Sequence, residues 1–182
     1  MQVNEHQVLS FVSHLQKERR YSRHTVEAYK FELNRFNKKI KKDFSEVSTD
    51  DVKDFVLFLR AKNLATKSIH RAISALRSFF QYLKNQGLLG QNPASHVQLP
   101  KHTQKLPAVL DADQTAKLLE FVPKNGIEFR DKAILELLYG CGVRLTELVT
   151  LDIEDVDLVS GYARVIGKGN KERQCPIGRR AL

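Results

Sequence analysis

The sequence is poor in the features that define several classes of protein. Its only cysteines, Cys141 and Cys175, lie far apart without Cys-x-x-Cys spacing, so it predicts neither a disulfide framework nor a zinc site. No apolar run is long enough to span a bilayer. The first ten residues lack the basic start and apolar stretch of a secretory signal. We therefore expect a cytoplasmic protein with no membrane-inserted segment.

Acidic residues are scarce relative to basic ones. The 182 residues include 30 Lys and Arg against 21 Asp and Glu, a net charge of +9. Residues 1–100 hold 17 basic and 9 acidic residues, whereas residues 101–182 hold 13 and 12. The basic excess of the first half predicts a polyanionic partner, usually nucleic acid. A solubilising surface is the alternative that charge alone leaves open.

Apolar residues recur at helical spacing through the first half. One stripe follows alternating steps of three and four between Arg23 and Ile40. A second helix is predicted near Thr49, where Asp50 and Asp51 suit the positive end of a helix. The third helix is "TKSIHRAISALRSFFQYLKNQG". Its apolar stripe consists of Ile69, Ile73, Leu76, Phe80 and Leu83.

The other face of this third helix carries cations and small hydroxyls without an acid. A face of this kind can lie along a phosphate backbone, where small residues allow close approach. A solvated helix face is the alternative, but solvated faces usually mix both signs, so the pattern favours DNA contact. The residues predicted to contact DNA are Lys67, His70, Arg71, Ser74 and Arg77.

Composition divides the chain into two parts. Glycines, prolines and cations replace the helical pattern after Gly87, so we place a helical domain at residues 1–87, a linker at 88–106 and a second domain at 107–182. The second domain begins with helices, the first of which has Asp111 and Gln114 at capping-box spacing. It continues into a β-hairpin within "GYARVIGKGNKERQCPI". The predicted fold class is mainly α with a small β-hairpin or sheet.

Arg144 stands between a glycine pair and a short apolar turn in "YGCGVRLTELV". Gly140 and Gly142 allow a sharp turn that brings the backbone close to a ligand. An arginine there can bind two phosphate oxygens at once. Glu147 is three residues further on, so it can lie beside Arg144 on one helical turn and hold it in place. Taken alone, an ordinary surface Arg–Glu pair is the simpler interpretation.

Lys168 lies at the tip of the predicted hairpin, between Gly167 and Gly169. A mobile lysine there could donate a proton to a leaving oxygen if nearby cations or burial lower its pKa, although a solvated lysine is the commoner case. A P-loop would need GxxxxGK followed by Ser or Thr, between a strand and a helix. Gly169 follows Lys168 and a strand follows the turn, so no ATP site is expected.

In combination these motifs resemble a known family. "LLYGCGVRLTELVTLDIEDVDL" and "VIGKGNKERQCPIG" are similar to the start of the catalytic domain of tyrosine site-specific recombinases, the phage-integrase family, and most similar to its Xer type. "ERRYSRHTVEAYKFEL", "RAISALRSFFQYL" and "NPASHVQLPK" are similar to its N-terminal core-binding domain. The resemblance covers essentially the whole chain, and the two catalytic-domain motifs are specific in combination.

The resemblance implies a fold and an activity. It implies a helical, SAM-like core-binding bundle and an incomplete α+β catalytic domain, which together clamp duplex DNA. A tyrosine attacks the scissile phosphate, giving a 3′-phosphotyrosyl link and a free 5′-hydroxyl. Arg144 then matches the first catalytic arginine, which binds non-bridging phosphate oxygens. Lys168 matches the proton donor to the leaving 5′ oxygen, and Glu147 matches a supporting acid.

The resemblance also implies partners. These are a double-stranded DNA recombination site and a second related recombinase in a tetramer on two DNA sites, acting in resolution of chromosome or plasmid dimers at cell division. No metal, nucleotide, cofactor or small-molecule substrate is implied.

The sequence departs from the family beyond the hairpin. The family continues with His-x-x-Arg, a later His or Trp and the nucleophilic Tyr. None of the six histidines has arginine three residues on, and none of the five tyrosines occupies the late position. We expect a recombinase lacking most of its catalytic domain, with exposed apolar faces at 113–150, that binds DNA without cleaving it. An expression fragment, a truncated gene product and a partial record remain open. The alternatives are a non-catalytic DNA-binding truncation and a phage or transposon integrase.

Overall fold

The structure, a computed structural model, describes residues 2–99, 108–167, 169 and 171–178. The chain forms two compact units, Met1–Lys105 and Leu106–Leu182. Among the described residues the first unit is helical, and the second combines three α-helices with a three-stranded antiparallel sheet. The predicted fold class is therefore confirmed.

Four α-helices form the first unit in the described part of the chain. Each buries an apolar stripe against the others, as amphipathic helices do. α1 was missed in the sequence, although Val8, Phe11 and Leu15 recur at steps of three and four and are buried. The helices are α1 (Gln2–Lys17), α2 (Arg23–Ile40), α3 (Thr49–Ala61) and α4 (Thr66–Asn85).

A capping box begins α3. The Ser48 hydroxyl accepts a hydrogen bond from the Asp51 amide at 3.2 Å, and the Asp51 carboxylate accepts one from the Ser48 amide at 2.9 Å. These bonds satisfy donors that the first turn of a helix otherwise leaves unpaired. The acidic helix start predicted from the sequence is thus confirmed, with Ser48 as its cap.

Phenylalanine rings fill the core of the first unit. Phe36 lies 5.0 Å from Phe55 and 6.0 Å from Phe80 between ring centroids, both edge to face. Phe80 also contacts Phe44 and Phe79, at 6.1 and 5.4 Å. Each of these rings is fully buried. The predicted apolar stripe of α4 is buried in the same cluster, so that prediction is confirmed.

The segment after α4 packs on the first unit. Ala94 and Val97 are buried. Arg77 of α4 donates through Nε to the Ala94 carbonyl at 3.0 Å and through Nη2 to the Val97 carbonyl at 2.7 Å. Asn92 donates to the Arg77 carbonyl at 3.0 Å. Residues 92–97 of the predicted linker therefore pack as part of the first unit, and the domain limits given above stay a prediction.

The second unit joins short helices to a small sheet. The capping box predicted at Asp111 and Gln114 is confirmed, because each backbone amide donates to the other residue's side chain, at 3.1 and 2.8 Å. The helices are α5 (Ala112–Leu119), α6 (Gly126–Gly140) and α7 (Leu145–Val149). The strands are β1 (Val156–Asp157), β2 (Tyr162–Gly167) and β3 (Lys171–Pro176), in the order β1-β2-β3.

The predicted hairpin is formed by β2 and β3. They pair antiparallel, with Ala163 opposite Cys175, Val165 opposite Arg173 and Gly167 opposite Lys171 at the end of the ladder next to the turn. The side chains alternate between two faces, as the two-residue period of a strand requires. Ala163, Val165 and Cys175 are buried on the inner face.

Little apolar surface is buried in the second unit. Its core cluster consists of Val143, Val165 and Cys175, with partly buried neighbours from α6 and α7. As the sequence predicted, large apolar side chains on its helices are exposed. These are Leu118, Ile127, Phe129, Tyr139, Leu145 and Val149.

Candidate functional site

Arg144 occupies the turn between α6 and α7. Gly142 has a φ of +59°, a backbone conformation that favours glycine. Arg144 follows in an extended conformation immediately before the first residue of α7. Its side chain is 62% exposed. The turn thus places a guanidinium in contact with solvent, where an anion can reach it.

Glu147 fixes this arginine, as the sequence predicted. Glu147 Oε1 accepts a hydrogen bond from Arg144 Nη1 at 2.7 Å, and Glu147 Oε2 accepts one from the Arg144 amide at 2.8 Å. The Glu147 side chain is only 2% exposed. The carboxylate therefore holds both the backbone and the head of Arg144.

Arg173 of β3 is the third member of the cluster and was missed in the sequence. Its Nη1 and Nη2 donate to Glu147 Oε1 and Oε2, each at 2.7 Å. These bonds, together with that from the Arg144 amide, lower the pKa of Glu147 to about 2. Hydrogen bonding to Glu147 raises the pKa of Arg173. A signal existed, because the strand period places position 173 on the inner face beside Cys175.

Gly167 lets the hairpin approach this cluster closely. A Cβ atom at Gly167 would lie 3.0 Å from Glu147 Oε1, 3.1 Å from Arg173 Nη1 and 3.4 Å from Arg144 Nη1. A side chain there would therefore require the ends of these charged side chains to shift by a few tenths of an ångström. The glycine predicted for a hairpin turn thus has a packing role that the sequence did not reveal.

Lys168, the predicted proton donor, lies outside the described residues. Gly167 before it belongs to β2, and Gly169 after it has a φ of +79°. Two guanidinium cations and one carboxylate give the cluster of Arg144, Glu147 and Arg173 a net charge of +1. Such a cluster suits a phosphate, which an exposed guanidinium binds with two oxygens at once.

The five side chains predicted to contact DNA share one face of α4 but differ in exposure and in bonding partners. Lys67 and Ser74 are exposed, and the Arg71 side chain is 54% exposed. His70 is half-buried and has an interaction partner. Arg77 is half-buried and donates to the carbonyls of the segment that follows α4. The DNA-contact role of all five stays a prediction.

An acid from α2 reaches this face. Glu32 is fully buried and accepts a hydrogen bond from Arg71 Nη2 at 3.3 Å. It also forms an ion pair with Arg35 of its own helix. The sequence correctly shows no acid on this face of α4, but it did not reveal that α2 supplies one to Arg71.

Two other kinds of site are absent from the part of the chain that the structure describes. No three His, Cys, Asp or Glu side chains there form a group able to hold a metal ion. No helix there has the length and apolar character needed to cross a bilayer.

Both units match known families. Residues 8–87 match the N-terminal SAM-like domain of phage integrases, and residues 108–182 match the phage integrase family. The chain belongs to the phage integrase family of tyrosine recombinases.

Among its relatives are recombinases of the Xer type. The chain is 41% identical to tyrosine recombinase XerC of Shewanella amazonensis, over 94% of this chain and 58% of that protein. It is 39% identical to XerC of Alcanivorax borkumensis, over 96% of this chain and 58% of that protein. The chain therefore spans less than two thirds of the length of these curated relatives. The resemblance found in the sequence is confirmed.

Solved structures share the fold. The Tn1549 transposon integrase, in complex with transposon right end DNA, has a TM-score of 0.72 at 17% identity, over 96% of this chain and 62% of that one. A lambda integrase dimer bound to a COC′ core site has a TM-score of 0.70 at 16% identity, over 94% of this chain and 61% of that one. At such low identity the likeness is one of fold.

Proposed function

We propose that this chain carries the DNA-binding part and two catalytic positions of an enzyme of site-specific DNA recombination. The observation that carries the proposal is the exposed Arg144 guanidinium, which Glu147 fixes beside Gly167 of the hairpin. Arg144 binds non-bridging oxygens of the scissile phosphate. Lys168, which follows Gly167 in the sequence, protonates the leaving 5′ oxygen as a tyrosine forms the 3′-phosphotyrosyl link. Removing one fixed donor of this kind typically lowers a rate by about 10²–10³.

The biological role we infer is resolution of chromosome or plasmid dimers at cell division, in the cytoplasm. Identity of about 40% to recombinases named XerC supports this role. The likeness to transposon and phage integrases lies at 16–17% identity and gives an integrase role less support. The proposed assembly is a tetramer with a second related recombinase on two DNA sites.

DNA binding through α4 belongs to the same proposal. Lys67 and Arg71 are the exposed cations of the predicted face. If both bind phosphates, the logarithm of the affinity for duplex DNA falls with the logarithm of the salt concentration. Changing both to alanine should then reduce the magnitude of the slope by about two, since each released phosphate contact contributes about 0.9. Fluorescence anisotropy with a labelled duplex at several salt concentrations measures this slope.

The matched control removes the same charge from another helix. Lys53 and Lys62 are exposed on or just after α3, so the double alanine variant keeps the net charge of the test variant. We expect its salt slope to match that of the unchanged chain. Equal slopes for all three proteins would exclude α4 from the interface.

Binding without cleavage is the second candidate function. The 182 residues contain neither His-x-x-Arg nor a late tyrosine. A polypeptide of these residues should retard nicked suicide duplexes carrying candidate recombination half-sites, yet form no covalent adduct with them. A covalent adduct on a denaturing gel would refute this second function, and an absence of retardation would count against both.

A further inference from the structure

Arg173 has a geometry that a surface ion pair rarely has. Its two terminal nitrogens bind the two oxygens of one carboxylate at 2.7 Å, and that carboxylate is 2% exposed. The same carboxylate holds the head and the amide of Arg144. Glu147 Oε1 therefore accepts hydrogen bonds from two guanidinium groups, that of Arg144 in the turn before α7 and that of Arg173 in β3.

We propose that Arg173 is a positioning residue for Arg144 and acts through Glu147. Its importance for DNA chemistry rests on the proposed function, in which Arg144 binds phosphate. Arg173 fixes the orientation of the Glu147 carboxylate, and the carboxylate then fixes the Arg144 head. Because Gly167 packs against the same three groups, the contact also sets the hairpin against the turn that carries Arg144.

Charge gives Arg173 a second effect on the site. With Arg173 present, the carboxylate is shared and the cluster keeps a net charge of +1. Without it, the cluster keeps one guanidinium and one carboxylate, so its net charge falls to zero and Arg144 attracts an anion less strongly. Lysine at position 173 would keep the charge but lose the two-pronged geometry, because an ammonium group is a point charge rather than a planar fork. The two substitutions thus separate charge from positioning.

The test uses the 182-residue chain with dimethyl phosphate as a phosphodiester probe. Nitrogen-15 NMR of arginine side chains reports both the rotation of the Arg144 guanidinium and its binding of the probe, while amide spectra verify the fold. The variants are Arg173→Gln and Arg173→Lys. The control is Arg164→Gln, since Arg164 lies on the same hairpin and pairs with Asp155 at 2.7 Å.

In the unchanged chain and in R164Q, we expect slow rotation of the Arg144 guanidinium and equal affinity for the probe. R173Q should free the guanidinium and weaken binding by about tenfold, the effect of one lost charge-assisted interaction. R173K should free the guanidinium with a smaller loss of affinity, and it serves as the test if R173Q does not fold. Slow Arg144 rotation in a folded variant at position 173 would overturn the proposal.

The two proposals can fail separately. If the unchanged chain binds no dimethyl phosphate at Arg144 while R173Q frees that side chain, the phosphate role is wrong and the positioning role is supported. If the probe binds at Arg144 with equal affinity in the unchanged chain, R173Q and R173K, the positioning role is wrong and the phosphate role is supported.

Discussion

Different interactions stabilise the interior of each unit. The first buries aromatic and aliphatic side chains from four helices, and its largest fully buried residues include six phenylalanines. The second buries fewer and smaller apolar side chains, clustered around Val143, Val165 and Cys175, and beside them lies an ion cluster around Glu147. Apolar side chains do not titrate, whereas the stabilisation from a carboxylate cluster depends on pH. The geometry of the candidate catalytic site should therefore respond to pH more than the helical core of the first unit does.

The largest expected effect is the loss of a ring from the first core. Phe80→Ala should lower the free energy of unfolding of the first unit by about 3–5 kcal/mol, because it leaves a cavity among rings that cannot close around it. Phe129→Ala, in the second unit, should cost less than about 0.5 kcal/mol, since Phe129 is 61% exposed. Urea titration followed by NMR of each unit measures both. Similar costs at the two sites would contradict this difference between the two units.

Acid should loosen the second unit before the first. The pKa of Glu147 is about 2 in the folded chain, against an ordinary value of 4.5. A lowered folded pKa gives stabilisation that is present above about pH 4.5 and lost as the pH falls towards 2. Hydrogen exchange of β2 and β3 amides should therefore accelerate over this range more than exchange in α2 and α4.

A substitution isolates the contribution of Glu147 to this acid response. Asp155 and Asp157 of the second unit also have lowered pKa values, through hydrogen bonds led by the Asp152 and Ser160 amides respectively, so they act in the same direction. Glu147→Gln should remove most of the pH dependence of hydrogen exchange around the cluster. The pH dependence that arises from Asp155 and Asp157 should remain. An unchanged pH profile in this variant would show that the ion cluster does not hold the hairpin.

Local patterns in the sequence are sufficient to predict much of this architecture. The stripes of α2 and α4, the hairpin and the Arg144–Glu147 pair all involve residues a few positions apart, where helix and strand periods dictate neighbours. The capping box at Asp111 was predictable for the same reason. Val8, Phe11 and Leu15 give α1 the same helical spacing, so its sequence carries a local signal as well.

Long-range contacts were not predictable from spacing. Arg173 lies 26 residues from Glu147 in the chain, and only the pairing of β3 with β2 brings it to that carboxylate. Glu32 likewise reaches Arg71 across 39 residues. Arg77 was predicted to face DNA, yet its donors are directed at carbonyls that composition assigned to a linker. In each case a charged side chain binds a partner that is distant in sequence, which helix and strand periods do not predict.

Arg77 and Lys67 should separate folding from DNA contact on one helix. Arg77→Ala leaves the Ala94 and Val97 carbonyls without their donors, so the first unit should lose about 1–3 kcal/mol of stability. Lys67→Ala should change stability by less than about 0.5 kcal/mol and reduce the salt slope of DNA binding by about one. Denaturation and anisotropy on the same two variants provide the measurements. If Lys67→Ala is the more destabilising change, the expected roles of Arg77 in folding and of Lys67 in DNA contact are wrong.

A capping box begins one helix in each unit, so removing it compares the same local change in both. Ser48→Ala and Asp111→Ala each remove the capping box of a helix, which costs about 0.5–2 kcal/mol. In the first unit α3 is packed into the shared core, so the loss should appear as a uniform decrease in the stability of all four helices. In the second unit α5 buries only Leu119, so exchange should accelerate in α5 and leave the sheet unaffected. Hydrogen exchange resolved by residue distinguishes the two patterns. Loss of protection across the sheet after Asp111→Ala would mean that the second unit unfolds as cooperatively as the first, despite its small core.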